Sequence, residues 1–349
     1  MSENGFRSIQ VSTISHIAII LMISVLAIIH LKAVIQPLVI ASLLFLLIRP
    51  PAQMLENRFG HPLLAYGVLM AIVVGVIFFA SNILFSNLQD FTNQSDELTS
   101  QLEEKIAWLE AIEFRGYHID TSGITGLITV TTIQDFATGF AGSLASFTGS
   151  AVTVIIFLLF IILEAETLPG RLSVAYPEEV DRFTQIASNS GEGINTYVMT
   201  RATVAFGQAV IAAFILYYLG IPGWFLWASF TFLLDFIPYV GALISMIPPA
   251  LLGLIILEPT TALIMIALLI GNQQIWGAFV EPQLAGQRLD MSPIVLLLLV
   301  AFWGWAWGVM GMVLGVPLAV IMKIALESDP RTRPIAMLLS QNPKPYEEE

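Results

Sequence analysis

Two apolar stretches, residues 224–257 and 293–325, are each too long to cross a bilayer once, and each is interrupted by Gly and Pro. As one helix, residues 224–257 would run roughly 50 Å at about 1.5 Å per residue. The hydrocarbon core is only about 30 Å thick. The chain must fold back or break, and Phe236-Ile237-Pro238-Tyr239-Val240-Gly241 is where the first stretch can do so. Trp303-Gly304-Trp305-Ala306-Trp307-Gly308 is the matching breaker in the second. Interrupted apolar segments in a polytopic chain point to a transport site, because backbone groups released from helical bonding can line a cavity there.

Composition agrees with a membrane protein. The chain has 349 residues, of which 56% are hydrophobic and 11% charged. Between residues 203 and 324 the only charged side chains are Asp235, Glu258, Glu281, Arg288, Asp290 and Lys323. There is no cysteine, and His16, His30, His61 and His118 are scattered, so no metal site and no cofactor are expected. A net charge of −12 argues against nucleic acid as a partner. The N-terminal apolar run lacks a small-residue cleavage site and reads as a first span.

The expected fold is all-α and polytopic, with about six clear spans plus two broken or re-entrant helical segments. The spans are placed at 14–31, 33–48, 63–85, 151–163, 203–219 and 260–280. The chain divides into the first three spans (1–86), an external acidic region with an amphipathic helix (87–148) and a fourth span with a cytoplasmic helical segment (149–202). A transport core with two broken hairpins (203–326) and a cytoplasmic tail (327–349) complete it. Leu98, Leu102, Ile106, Leu109 and Ile112 recur at helical spacing, so 98–112 carries an apolar stripe that either packs on the membrane domain or meets a neighbouring subunit. Residues 116–132, rich in Gly and Thr, read as a loop or short strands, and Gly191-Glu192-Gly193 is expected to interrupt a cytoplasmic helix.

Positive charge sets the orientation. With both termini cytoplasmic, Arg7, Arg49, Arg58, Arg171, Arg182, Arg201, Arg288, Lys323, Arg331, Arg333 and Lys344 lie inside, leaving Lys32, Lys105 and Arg115 outside.

Three constellations could carry a mechanism. Asp235 ends an apolar run three residues before Pro238 and six before Gly241; a carboxylate near the midplane is costly and usually faces a cavity, where a proton or cation can be its partner. The alternative is an interfacial cap on the turn that Pro238 makes. Gln273, Gly277 and Glu281 stand at i, i+4 and i+8, with Gln274 adjacent, and form a polar stripe that either faces a cavity or bonds to a neighbouring helix. Gly304 to Gly308 and Gly311 to Gly315 are small-xxx-small spacings suited to close helix approach and to homo-oligomerisation. Trp303, Trp305 and Trp307 could stack on a cyclic ligand or anchor a helix end at the headgroups, and the second use suits three alternating residues better. No phosphate-binding Gly-x-x-x-x-Gly-Lys, Gly-x-Ser-x-Gly elbow or His-Glu-x-x-His occurs, so the chain is not expected to be an enzyme.

Taken together, Tyr197 through Gly207, Gly220-Ile221-Pro222, Asp235 through Gly241, Pro248, Gln273-Gln274, Glu281-Pro282, Gly286, Ser292-Pro293 and Gly308-x-x-Gly-x-x-x-Gly-Val-Pro317 resemble the autoinducer-2 exporter family of bacterial inner-membrane transporters. The resemblance implies a multi-span transporter of the cell inner membrane and a homo-oligomer, a pentamer being one such form. It implies export of a small hydrophilic solute or signal, autoinducer-2 in some members and sodium–proton antiport in others. A neutral polyol-like signal would want the amides of Gln273 and Gln274 and a Trp; a cation antiporter would want Asp235 beside Pro238 and Gly241. A non-transporting membrane scaffold is the third alternative, and the broken segments argue against it.

Overall fold

The computed structural model describes residues 3–111, 113–114, 117–118, 129–165, 167–285 and 291–341. Helices α1 (Glu3–His30), α2 (Lys32–Phe59) and α3 (Pro62–Asn93) succeed one another with almost no linker, and α4 (Ser95–Glu110) lies beyond them. Two-residue strands β1 (Glu113–Phe114) and β2 (Tyr117–His118) pair antiparallel, with Glu113 opposite His118. Next come α5 (Val130–Ala165), α6 (Leu168–Ala175), α7 (Val180–Tyr218), α8 (Trp224–Leu234), α9 (Val240–Ile256) and α10 (Pro259–Gln274). A π-helical turn (Ile275–Val280), α11 (Glu281–Ala285), α12 (Pro293–Trp307), α13 (Val309–Glu327) and α14 (Arg333–Leu339) complete the chain. Apart from the small β pair, the described residues are all-α, as the apolar periodicity requires. Ile112, residues 119–128, Gly286, Arg288 and Asp290 lie outside the described residues.

Five helices are long and apolar enough to cross a membrane: Lys32–Phe59, Leu64–Asn93, Val180–Tyr218, Pro259–Leu284 and Val309–Glu327. A sixth results if Ala151–Ala165 and Leu168–Ala175, bent by 59°, form one span. The first expected span is shorter than its sequence suggests, since the apolar part of α1 is Ala18–His30. Val309–Glu327, expected as half of a broken segment, is long enough to cross alone. The Leu64–Asn93 helix is almost wholly exposed, with Val76, Phe78 and Phe79 pointing outward, which is the pattern of a helix solvated by lipid rather than by protein.

Several helices overrun the bilayer. The 39 residues of α7 reach about 58 Å, so much of the helix lies outside any hydrocarbon layer. This helix passes through Gly191 and Gly193 without a break, contrary to expectation. A Cβ on Gly193 would stand 3.1 Å from Val320 Cγ1, and one on Gly191 3.7 Å from Leu46 Cδ2. Helix α13 packs closely at Gly193, while the position of Gly191 is only ordinary contact with α2.

Helix α4 uses its apolar stripe inside the subunit. Leu98 is fully buried in the larger core cluster and Leu102 packs against it. Lys105 Nζ donates to the Leu257 carbonyl at the end of α9 (2.7 Å), where a cation meets the negative end of the helix dipole.

Both broken segments fold into hairpins. In the first, α8 and α9 are joined by 235–239, and a Cβ on Gly241 would lie 1.8 Å from the Leu234 carbonyl oxygen, so only glycine lets the turn close. In the second, α12 and α13 turn at Gly308, whose φ of 69° is the left-handed region. A Cβ on Gly311 would meet the Trp303 carbonyl oxygen at 1.9 Å, and Gly304 and Gly315 face Met312 and Val300 across the same hairpin. The small-residue spacings expected to serve subunit contacts are occupied within one chain.

The hairpins enter from opposite ends. The α8–α9 limbs start beside Phe91 near the end of α3 and finish against Lys105 of α4. Helix α12 starts where Ser292 N–H donates to the Leu339 carbonyl of α14 (2.8 Å), and its far end is tied to α1 by Trp307 Nε1 donating to Ile28 O (3.0 Å). Of the three tryptophans, Trp307 is buried and Trp305 is 68% exposed, so they do not form one stacking wall.

Candidate functional site

One face of α7 organises the interior. Tyr197, Arg201, Val204, Gln208, Ala212 and Leu216 recur at three- and four-residue steps, and all are buried. Three of these six carry polar or charged heads, which a helix surrounded only by apolar partners would not tolerate. Two polar layers result, separated by the two turns between Arg201 and Gln208, about 10 Å.

The first layer is ionic. Arg201 Nη1 donates to Glu281 Oε2 at 2.6 Å, and Arg201 Nε stands 3.9 Å from Asp235 Oδ2. The first contact is a charge-assisted hydrogen bond; the second is too long to be one. Arg201 Nε and Asp235 Oδ2 are both buried without a hydrogen-bond partner. Tyr197 completes the layer, its hydroxyl donating to the Phe236 carbonyl at 3.2 Å. Three separate elements thus meet: α7, the α8–α9 turn and the start of α11. Two carboxylates share a single guanidinium, leaving one negative charge in excess in a dry setting. Such an imbalance is expensive to keep for packing alone.

The turn presenting Asp235 is strained. Val240 N–H donates to the Pro238 carbonyl two residues back at 2.6 Å, and Tyr239 between them has φ 61° and ψ −52°. That is a γ-turn of the rare, positive-φ kind. Tyr239 is the one non-glycine residue with positive φ among the described residues.

The second layer is neutral. Asn272 Nδ2 donates to the Gln208 carbonyl at 2.9 Å, joining α10 to α7. Gln208 Oε1 and Asn272 Oδ1 remain buried without partners. Beside them α7, α8, α9 and α10 enclose a cavity of about 10 Å³ lined by Thr231, Ser245, Pro249, Asn272 and Gln273 among others. That is room for roughly one water molecule.

The π-helical turn explains why the expected polar stripe is rearranged. An α-helix would keep Gln273, Gly277 and Glu281 on one face, but the wider turn from Ile275 to Val280 rotates the residues beyond it. Gln273 lines the cavity and Glu281 reaches Arg201, whereas Gln274 and Gly277 are exposed. The inward amide is Asn272, which the spacing of the stripe does not single out. Trp276 of the same turn lies on α7 at Gly207, where a Cβ would sit 2.1 Å from the indole.

Of the expected site residues, Asp235 and Glu281 are brought together through Arg201, and Pro238 and Gly241 form the turn beside them. Gly304 and Gly308 belong to the other hairpin, whose tip meets α1. The distribution of positive charge assigns Arg201 to a cytoplasmic flank, yet it is only 8% exposed. A signal for its burial exists in the sequence: it lies four residues from Tyr197 and seven from Gln208 on a face otherwise apolar. Among the described residues no group of three His, Cys, Asp or Glu side chains could hold a metal ion.

A family model described as AI-2E family transporter matches residues 17–330. The chain is 26% identical over 334 residues to AI-2 transport protein TqsA of Escherichia coli K12, covering 94% of this chain and 97% of that one. It is 24% identical over 318 residues to a Haemophilus influenzae protein bearing the name Putative transport protein, covering 88% and 90%. With an E. coli K12 protein of that same name, YhhT, it shares 24% identity over 320 residues and 91% of each chain. A match over most of the chain, carried by a multi-span helical fold with two interrupted hairpins, makes this chain a member of the AI-2E transporter family.

Proposed function

We propose that this multi-pass protein exports a small hydrophilic solute or signal across the bacterial inner membrane, with both termini cytoplasmic. The observation that carries the reading is the buried Arg201, Asp235 and Glu281 layer at the break between α8 and α9. A buried ionic layer joined across three elements can be made and unmade as those elements move, which is what alternating access needs. The enclosed cavity is too small for a sugar-sized solute, so the structure corresponds to a closed state whose hairpins part to admit one. The name of TqsA points to autoinducer-2 as the first solute to try.

The orientation survives the burial of Arg201. Without it, Arg49, Arg58, Arg171, Arg182, Arg331 and Arg333 still gather at one end, against Lys32 and Lys105 at the other.

Two carboxylates on one guanidinium also favour a second reading, monovalent cation–proton antiport, since the excess negative charge can be met by a proton. Everted membrane vesicles separate the two. Accumulation of labelled autoinducer-2 above vector controls supports export. Sodium-driven proton movement without that accumulation supports antiport, and neither flux would overturn both.

A further inference from the structure

We propose that the cavity between α7, α8, α9 and α10 is a binding site for one dehydrated monovalent cation of about sodium size, held by neutral oxygens. The site is distinct from the carboxylates. Asp235 and Glu281 do not line the cavity and are turned to Arg201.

The case rests on what the lining has left to offer. Asn272 gives its amide protons to the Gln208 carbonyl, which fixes the orientation of the amide and leaves Oδ1 as the buried atom without a partner. Thr231 donates its hydroxyl proton to the Trp227 carbonyl (3.0 Å), and Ser245 donates its own to the Ala242 carbonyl (3.1 Å). Both hydroxyls therefore have only lone pairs to present. Pro249, also in the lining, has no N–H, so the Ser245 carbonyl four residues earlier loses its helical donor. Gln273 adds a further amide oxygen. These groups make an acceptor-rich wall with no ammonium or guanidinium.

Such a wall suits a hard cation, which takes oxygen ligands, better than water, which brings only two protons and also needs donors. A carbonyl freed at an interrupted helix is the kind of ligand by which transporters hold sodium. The lack of a carboxylate in the lining favours a single over a double charge. A volume of about 10 Å³ admits one water-sized occupant and excludes an organic solute. The excess negative charge at Asp235 and Glu281, about 10 Å away along α7, offsets the charge of the occupant without touching it.

The inference uses the transporter reading for its purpose, but its test does not, because binding at equilibrium needs no flux. The full chain in lipid nanodiscs is titrated with ²²Na⁺, and thermal unfolding is followed in sodium chloride against choline chloride at equal ionic strength. The expected result is saturable sodium binding and a Tm that rises with sodium alone. Asn272→Ala and Ser245→Ala should each weaken sodium binding at least tenfold, with Asp235→Asn weakening it less. Ser245 bonds only within its own helix, so that variant decides the matter should Asn272→Ala fail to fold. Equal Tm in both salts with no saturable binding means a cavity that holds water only and overturns the proposal. Sodium binding lost in Asp235→Asn but kept in Ser245→Ala would place the cation at the carboxylates and overturn it equally. Sodium binding by a chain that moves no solute would keep the site and remove the transporter reading.

Discussion

The α8–α9 and α12–α13 hairpins begin from the same sequence problem, an apolar run too long for one crossing, and solve it with opposite chemistry. The α12–α13 turn is relaxed: Gly308 takes the left-handed φ at no steric cost, Gly304, Gly311 and Gly315 bring the limbs into contact, and Trp307 pins the tip to α1. The α8–α9 turn ends in a buried acid, passes through positive φ at a tyrosine and leads into a helix interrupted by Pro248 and Pro249. One hairpin satisfies its polar groups and fills its space. The other leaves unpartnered oxygens and a charge imbalance beside it. Unsatisfied polar groups and strained backbone persist where a protein needs two states, so the difference separates a structural hairpin from a working one.

The contrast breaks most visibly at Gly311. Gly311→Val has no room against the Trp303 carbonyl and should remove most folded protein from the membrane fraction, read as monodisperse yield after extraction. A yield like that of the wild type would mean the limbs can part, and the structural hairpin would lose its distinction.

Arg201→Met strands two carboxylates in the interior. Breaking a buried pair by removing one partner costs about 3–5 kcal/mol; the half-exposed side of Glu281 tempers this toward the lower end. Thermal unfolding in detergent should show a large drop in Tm for Arg201→Met and a much smaller one for Arg171→Met, whose pair with Glu164 is exposed.

Tyr239→Gly should raise stability, because glycine adopts positive φ freely and the strain released is about 1 kcal/mol. The same change should slow flux if the strain belongs to the opening step. A lower Tm would show that the tyrosine ring, 51% exposed, contributes more than its backbone costs.

The smallest effect is expected at the tail. Asp329 accepts from the Arg331 backbone N–H and pairs with Arg182, and these partners, the backbone bond first, hold its carboxyl below the usual range. A depressed value means stability present above the ordinary carboxylate pKa of about 3.9 and lost as pH falls through the folded value. Protection of 329–339 in hydrogen exchange should therefore be flat from pH 5 to 8 and fall only in stronger acid.

Much of this is legible in the residues. Length against bilayer thickness places both breaks, and the acid beside Pro238 is visible because charge is scarce in that region. What stays hidden depends on contacts between distant elements. Gly191 and Gly193 read as helix breakers until α13 is seen packed against the second. Gln273, Gly277 and Glu281 read as one stripe because a π-helical turn has no signature in spacing alone. Arg201 is hidden by the positive-inside pattern itself, which gives every arginine near a span a reason to be outside it.

The central claim is that the Asp235 turn lies in the transport pathway. Asp235→Asn keeps the size of the side chain and its capacity for hydrogen bonds while deleting its charge. In everted vesicles carrying equal amounts of inserted protein, solute flux for Asp235→Asn should fall at least tenfold and lose its dependence on pH. Wild-type flux with the wild-type pH dependence would contradict the claim and leave Asp235 as a cap on a turn.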